Sequence, residues 1–146
     1  HATFDSTDVD GSVQEYAGNT FRLSPEHSFT VGFNAHINIT PSVLIFVSPS
    51  YSYKTHIYFE DANTEGLEQD AYGTLNMNGG IELTDLNLTL SAFATNLLDE
   101  KYITSAGNTG SLFGVPTFVP GSPKMMRAKL TWKFAKTKKS NYRRGR

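Results

Sequence analysis

Between Lys124 and Phe134 the chain reads KMMRAKLTWKF, in which Met126, Ala128, Leu130, Trp132 and Phe134 alternate with Arg127, Lys129, Thr131 and Lys133. Successive side chains of a β-strand point to opposite faces, so this period of two predicts a strand with one apolar and one cationic or polar face. Residues 28–39 alternate in the same way, with Phe29, Val31, Phe33, Ala35, Ile37 and Ile39 in phase, and predict one continuous strand. Residues 43–59 predict a longer strand whose apolar face carries Val43, Ile45, Val47, Tyr51, Tyr53, Ile57 and Phe59. Pro49 has no N–H to give to a ladder, so a bulge or local bend is expected there. Further strands are expected over 72–83 and over 86–96, the latter with Leu86, Leu88, Leu90, Ala92 and Ala94 in phase, and a strand fragment over 1–6.

Connection length alternates as regularly as polarity does. Short links at 40–42 and 84–85 are interleaved with long ones at about 7–27, 60–72 and 106–123. Short turns at one end, long loops at the other and strands of about ten residues are the pattern of an antiparallel up-and-down transmembrane β-barrel. The polar face of Ser, Thr, Asn, Gly, His, Lys and Arg suits a wet interior. Tyr51, Tyr53 and Phe59 near the long loops, with Trp132 and Phe134 near the short turns, stand where interfacial aromatic girdles belong. Backbone crossing lipid must pair completely, which demands a closed barrel, and five or six strands are too few to close one of ordinary type. The remaining strands are expected N-terminal. The competing fold is a small non-transporting barrel or a soluble β-sandwich used for binding or adhesion.

Composition narrows the partners. Hydrophobic residues make up 38% of the 146, and no run approaches the roughly 18 apolar residues of a membrane-spanning helix, which leaves strand crossing open. The formal net charge of -1 hides an asymmetry, because all 14 acidic residues precede Phe134 while six of the 13 basic ones lie in 135–146. So acidic a body argues against nucleic acid as a partner. The basic tail, 135–146, has no periodicity and is expected to be disordered. With no cysteine, disulfides and thiolate metal sites are excluded. The opening HATFDS lacks the basic and apolar regions of a signal peptide and is expected to lie inside a longer protein.

No catalytic grouping is visible. His1, His27, His36 and His56 fall in different segments, so neither a nucleophile triad nor a metal-ligand spacing forms, and no enzyme activity, cofactor or metal is expected. The glycine-rich stretch at 107–114 does not lead from a strand into a helix and reads as a flexible external loop rather than a phosphate cradle. The Asn-x-Thr triplets at Asn38 and Asn87 are expected to be chance matches.

Residues 93–105, FATNLLDEKYITS, carry Asn96, Leu97, Asp99 and Tyr102 as an Asn-Leu-x-Asp-x-x-Tyr element. The element resembles one in the C-terminal barrel region of TonB-dependent outer-membrane receptors. YAGNTFRLSPEHSF, YFEDANTEGLEQDAYGTLN and SPKMMRAKLTWKF resemble further stretches of that family in the same order, so the likeness covers about residues 1–134. As a local feature, the element reads equally as a bulge and turn at a strand end, since Asn and Asp favour turns. The resemblance implies an all-β chain forming the last five to six strands of a barrel of about 22 strands, plugged by a separate N-terminal domain. It also implies residence in the outer membrane of a Gram-negative bacterium. The implied role is energy-coupled import of a ferric siderophore, or of cobalamin, haem or an oligosaccharide, with the TonB complex engaged through a region absent from this chain.

Under that resemblance, ligand would meet aromatic and polar side chains on the loops. The candidates are Tyr16, Arg22, His56, Tyr58, Tyr102, Phe113 and Phe118, for each of which girdle packing, loop self-packing or solvation is the competing role. Lys54, Arg127 and Lys129, on the polar face, are expected to pair with carboxylates of the plug or of neighbouring strands. Leu130, Trp132 and Phe134 resemble the terminal strand signal read by the barrel assembly machinery, although twelve residues follow Phe134 here. A periplasmic extension, an added sequence or read-through past a stop would each account for them.

Overall fold

The computed structural model describes residues 2–110 and 115–134. Alternating residues form an antiparallel all-β chain with strands β1 (Ser28–Gly32), β2 (Ala35–Thr40), β3 (Val43–Lys54), β4 (Ile57–Tyr58) and β5 (Glu68–Gln69). These are followed by β6 (Tyr72–Leu83), β7 (Leu88–Thr95), β8 (Ile103–Gly110), β9 (Val115–Pro120) and β10 (Met125–Trp132). The main sheet runs β1, β3, β6, β7, β10, with β2 also paired to β3. It is an up-and-down meander, and β4–β5 and β8–β9 are small pairs set in the long connections.

Register turns the sequence pattern into two surfaces. Ile37 faces Ile45, which faces Ile81, then Leu90, then Leu130. The adjacent row is Ala35, Val47, Gly79, Ala92 and Ala128. The alternate rows are largely polar, as in Ser48, Asn78, Phe93 and Arg127. Because the side-chain period is two, a slip of one residue in any strand would mix these faces.

Pro49 acts on its neighbour rather than on its own strand. In an antiparallel ladder the N–H and C=O of one residue face the same partner strand. Phe33 N donates to Pro49 O at 3.3 Å, so the proline nitrogen also faces Phe33 and the return bond cannot form. The predicted strand 28–39 is therefore split at Phe33 and Asn34 into β1 and β2, both still paired to β3, β2 with a shift of register between Asn38 and Thr40. On its other side β3 pairs with β6 without a shift from Val43↔Leu83 to Lys54↔Tyr72, and the expected bulge in β3 is not there.

Other boundaries differ from expectation for local reasons. The strand predicted over 43–59 leaves the sheet after Lys54, where Thr55 N bonds His27 O at 3.0 Å, and Ile57 and Tyr58 pair with Gln69 and Glu68 instead. Residues 1–6 give no strand among the described residues, only the bridge Thr3↔Thr20, with Thr7↔Val13 following. Leu86 lies in a 3-10 turn, Thr84–Leu86, closed by Asn87 in the left-handed region at φ 50°, so it is not part of β7. Of the stretch expected as a loop at 107–114, residues 107–110 belong to β8 and pair with β9, and 111–114 lie outside the described residues. Phe113 and the 135–146 tail lie outside the described residues.

Among the described residues the buried apolar side chains are not under the sheet. They are Ile57, Phe59, Leu67 and Ala106, with Ile103 packed against them, all from the long connections. The sheet's apolar face is open: Leu130 is 67% and Trp132 60% exposed, and Val31, Ile37, Ile81 and Leu90 are exposed as well. An apolar surface of this extent marks contact with a partner or a membrane rather than with water.

Close packing across strands uses glycine where a ring must lie on the backbone. A Cβ at Gly80 would collide with Leu90 O and with the Phe46 ring. Gly80→Ala is therefore expected to destabilise the sheet by about 1–3 kcal/mol, the usual cost of overpacking. The check is the denaturant midpoint of the parent protein; an unchanged midpoint would mean that the Leu90 carbonyl and the Phe46 ring both yield without cost.

Candidate functional site in the loop layer

The three long connections pack on one another at one end of the sheet. Phe59 and Leu67, 5% and 3% exposed, meet Ile57 and Ala106 in the core of this layer. Full burial of side chains of this size is worth about 1.5–3 kcal/mol each. Around it the segments are tied by directed bonds. Asn63, at φ 49°, donates through Nδ2 to Thr20 O at 2.8 Å while its Oδ1 accepts from Thr20 N at 2.8 Å. Asn19 Nδ2 donates to Asp61 O at 2.9 Å, and Leu23 N to Tyr58 O at 2.8 Å. Gln69 Oε1 accepts from Ile103 N at 2.7 Å, joining β5 to the start of β8.

The Asn96, Leu97, Asp99 and Tyr102 element is a turn following β7, and its chemistry is that of a clamp. Asn96 is 2% exposed at φ 47°. Its Nδ2 donates to Glu100 O and to Ser122 O, both at 2.9 Å, and its Oδ1 accepts from Glu100 N at 3.0 Å. These three bonds satisfy the amide and fasten both stems of the β8–β9 hairpin. Leu97 N donates to Leu75 O at 2.7 Å, anchoring the turn to β6. Tyr102 stacks on Tyr72 with ring centroids 4.4 Å apart and covers Gly121, where a Cβ would meet its ring.

The ligand candidates are spread over this layer. Tyr16 packs on Phe4, centroids 5.9 Å apart, and Phe4 in turn on Phe21. Arg22 reaches Asp61 at 4.0 Å, an exposed pair. His56 and Tyr58 lie together, centroids 4.6 Å apart, and His56 Nε2 is 3.4 Å from Glu68 Oε2. Phe118 is half exposed on β9. Tyr102 lines a cavity of 530 Å³ with Gln69, Glu100, Lys101, Pro120 and Ser122. Phe113 falls outside the described residues. One expected role changes, since Phe59 belongs to the core of the layer rather than to an aromatic girdle; Tyr102 is held by packing against Tyr72 and Gly121. Sequence reading missed Tyr72 and Asn63; an Asn three residues into a turn-rich acidic loop is the signal for the second.

Charge in the layer is tuned by short-range bonds. The Lys101 ammonium, 3.0 Å from Asp99 Oδ1, holds that carboxyl below its usual 3.8, and the Ser12 hydroxyl and N–H do the same for Asp10. Both carboxyls are open to solvent, so their contribution to stability is small.

The same sheet fold occurs in two solved receptors. The ferric yersiniabactin uptake receptor FyuA of Yersinia pestis matches at a TM-score of 0.65 and 22% identity, over 79% of this chain and 17% of that one. BauA, the ferric preacinetobactin receptor of Acinetobacter baumannii, matches at 0.60 and 15% identity, over 79% of this chain and 16% of that one. The chain thus spans about one sixth of each. No protein-family model and no curated protein matches the sequence.

Replacing Asn96 by Ala would leave the Glu100 N–H and two carbonyls without their partner, a cost of about 1–3 kcal/mol. Faster hydrogen exchange from Glu100 to Ser122, with β3–β6 amides unchanged, is the expected result. For Asp99 the depressed carboxyl contributes above its usual 3.8, and the contribution is lost as pH falls through the lower folded value. An NMR titration should show this, and Lys101→Ala should move the midpoint upward.

Proposed function

We propose that the chain is the C-terminal part of the barrel of a TonB-dependent receptor in the outer membrane of a Gram-negative bacterium, and that the parent protein takes up a ferric siderophore. The observation that carries this reading is the union of one continuous exposed apolar face with the fold shared by the two receptors. A sandwich would bury that face against a second sheet, and among the described residues the remaining pairs, β4–β5 and β8–β9, are small and lie in the long connections. Lipid against Met126 to Trp132 on one side and a polar interior on the other is the arrangement in which such a sheet is stable. In this reading the strand set closes only with strands supplied by the rest of the parent chain, and energy comes from the TonB complex through that missing part. Leu130, Trp132 and Phe134 serve as the signal for the barrel assembly machinery.

The loop layer is the outward surface that meets ligand. Tyr58 and Phe118 are the residues to test, because Tyr102 and Phe59 are taken up by packing. Tyr58→Ala and Phe118→Ala in the parent receptor are expected to lower siderophore affinity by about tenfold together, the scale of about 1.4 kcal/mol. In a parent receptor keeping Trp132 as its only tryptophan, fluorescence should be quenched by brominated lipid. Unchanged uptake would remove both loop residues from the site, and an unquenched Trp132 would return the sandwich reading.

A further inference from the structure

The loop layer and the sheet below it carry charge of opposite sign. The strands of the main sheet hold Lys54, Arg127 and Lys129 against Glu82. Of the 14 acidic residues, all but Glu82 and Asp85 fall in the stretches 2–27, 55–71 and 96–124 that build the layer. The cations of those stretches are Arg22, Lys101 and Lys124, so twelve carboxylates stand against three. Each of the three already lies near a carboxylate: Arg22 is 4.0 Å from Asp61, Lys101 is 3.0 Å from Asp99, and the Lys124 charge acts on the same Asp99. Glu15, Glu26, Glu65 and Asp70 are exposed to solvent. The 530 Å³ cavity beside Tyr102 repeats the pattern, because Glu100 lines it and its ammonium, Lys101, is the one engaged by Asp99.

A surface of one sign concentrates ligands of the other and repels its own, and the effect on association reaches about tenfold or more. An anionic ligand also needs a cation free to pair with it, whereas the cations of this layer are engaged. For a metal complex the charge that counts is that of the chelating groups together with the ion's own. Hydroxamates bind ferric iron as monoanions and catecholates as dianions, so a ferric tris-hydroxamate is neutral and a ferric tris-catecholate is a trianion. We propose that the acidic layer restricts the parent receptor to ferric complexes that are neutral or cationic and turns polyanionic ones away. The inference rests on the reading of the layer as the ligand-meeting surface of a siderophore receptor, and it adds the class of siderophore.

Binding of one ferric trihydroxamate in three charge forms to the purified full-length parent protein tests it. A pendant amine left as the ammonium, acetylated or succinylated gives a monocation, a neutral complex and a monoanion around the same iron core. A ferric tris-catecholate is the fourth probe. At low salt the monocation is expected to bind about tenfold more tightly than the monoanion, with the neutral form between them and the tris-catecholate weakest. Added salt should narrow this spread, and so should Glu65→Gln combined with Asp70→Asn, because both weaken the same field. Equal affinity across the three forms, the reverse order, or a spread untouched by salt and by the double variant would each overturn the proposal. Tighter binding of the tris-catecholate than of the trihydroxamates defeats this inference and leaves the siderophore reading standing. Binding of none of the four defeats both.

Discussion

The structure depends on backbone pairing kept in register across a sheet with no core of its own. In a soluble domain, register is enforced by burying one face, and hydrogen bonds add modestly to what the core supplies. Here the order is reversed. The unbroken β3–β6 ladder from Val43 to Lys54 and the β7–β10 ladder from Leu88 to Thr95 fix which residues share a face. The face they create, from Phe29 and Val31 to Leu130 and Trp132, remains exposed. Such a surface is unfavourable in water and is stabilised where hydrocarbon or an apolar partner covers it.

That division explains why the loop layer is built differently from the sheet. The connections beyond the strands make a conventional core from Ile57, Phe59, Leu67 and Ala106. Directed bonds from Asn63 and Asn96 hold the three connections where sheet pairing no longer does. Both asparagines occupy left-handed backbone, at φ 49° and 47°, where a short amide is tolerated and can close its own turn. The layer is thus a shaped surface on a rigid base, the arrangement in which loops carry recognition.

The sheet is legible in the sequence because period-two alternation encodes it directly. Alternation and facing are the same fact, so the side on which each residue of β3, β6, β7 and β10 falls can be read before any partner is known. Which residue of β6 lies opposite Val43 or Lys54 cannot be read that way, since every even shift of register preserves the faces. Nor does alternation carry hydrogen-bond direction. The break at Phe33 and Asn34 follows from the side on which the Pro49 nitrogen falls, and that is set by the pairing of β1 and β2 with β3.

The loop layer is legible only in part, because its contacts join residues far apart in the chain. Ile57 and Phe59 keep the phase of β3, so alternation assigns them to the sheet's apolar face, yet the chain turns away at Thr55 and buries them against Leu67. Nothing local distinguishes a strand that continues from one that leaves while its pattern persists. The Asn96 to Tyr102 element shows the converse: its turn-forming residues are readable, but the reach of Asn96 to Ser122 spans 26 positions and depends on the β8–β9 hairpin returning to its own root. A residue conspicuous in the sequence can therefore be held by the geometry of a loop, and Tyr102, wedged between Tyr72 and Gly121, is such a residue. Phe118, half exposed on β9, and Tyr58, packed only on His56 among the described rings, are less committed to the layer's own packing than the motif beside them.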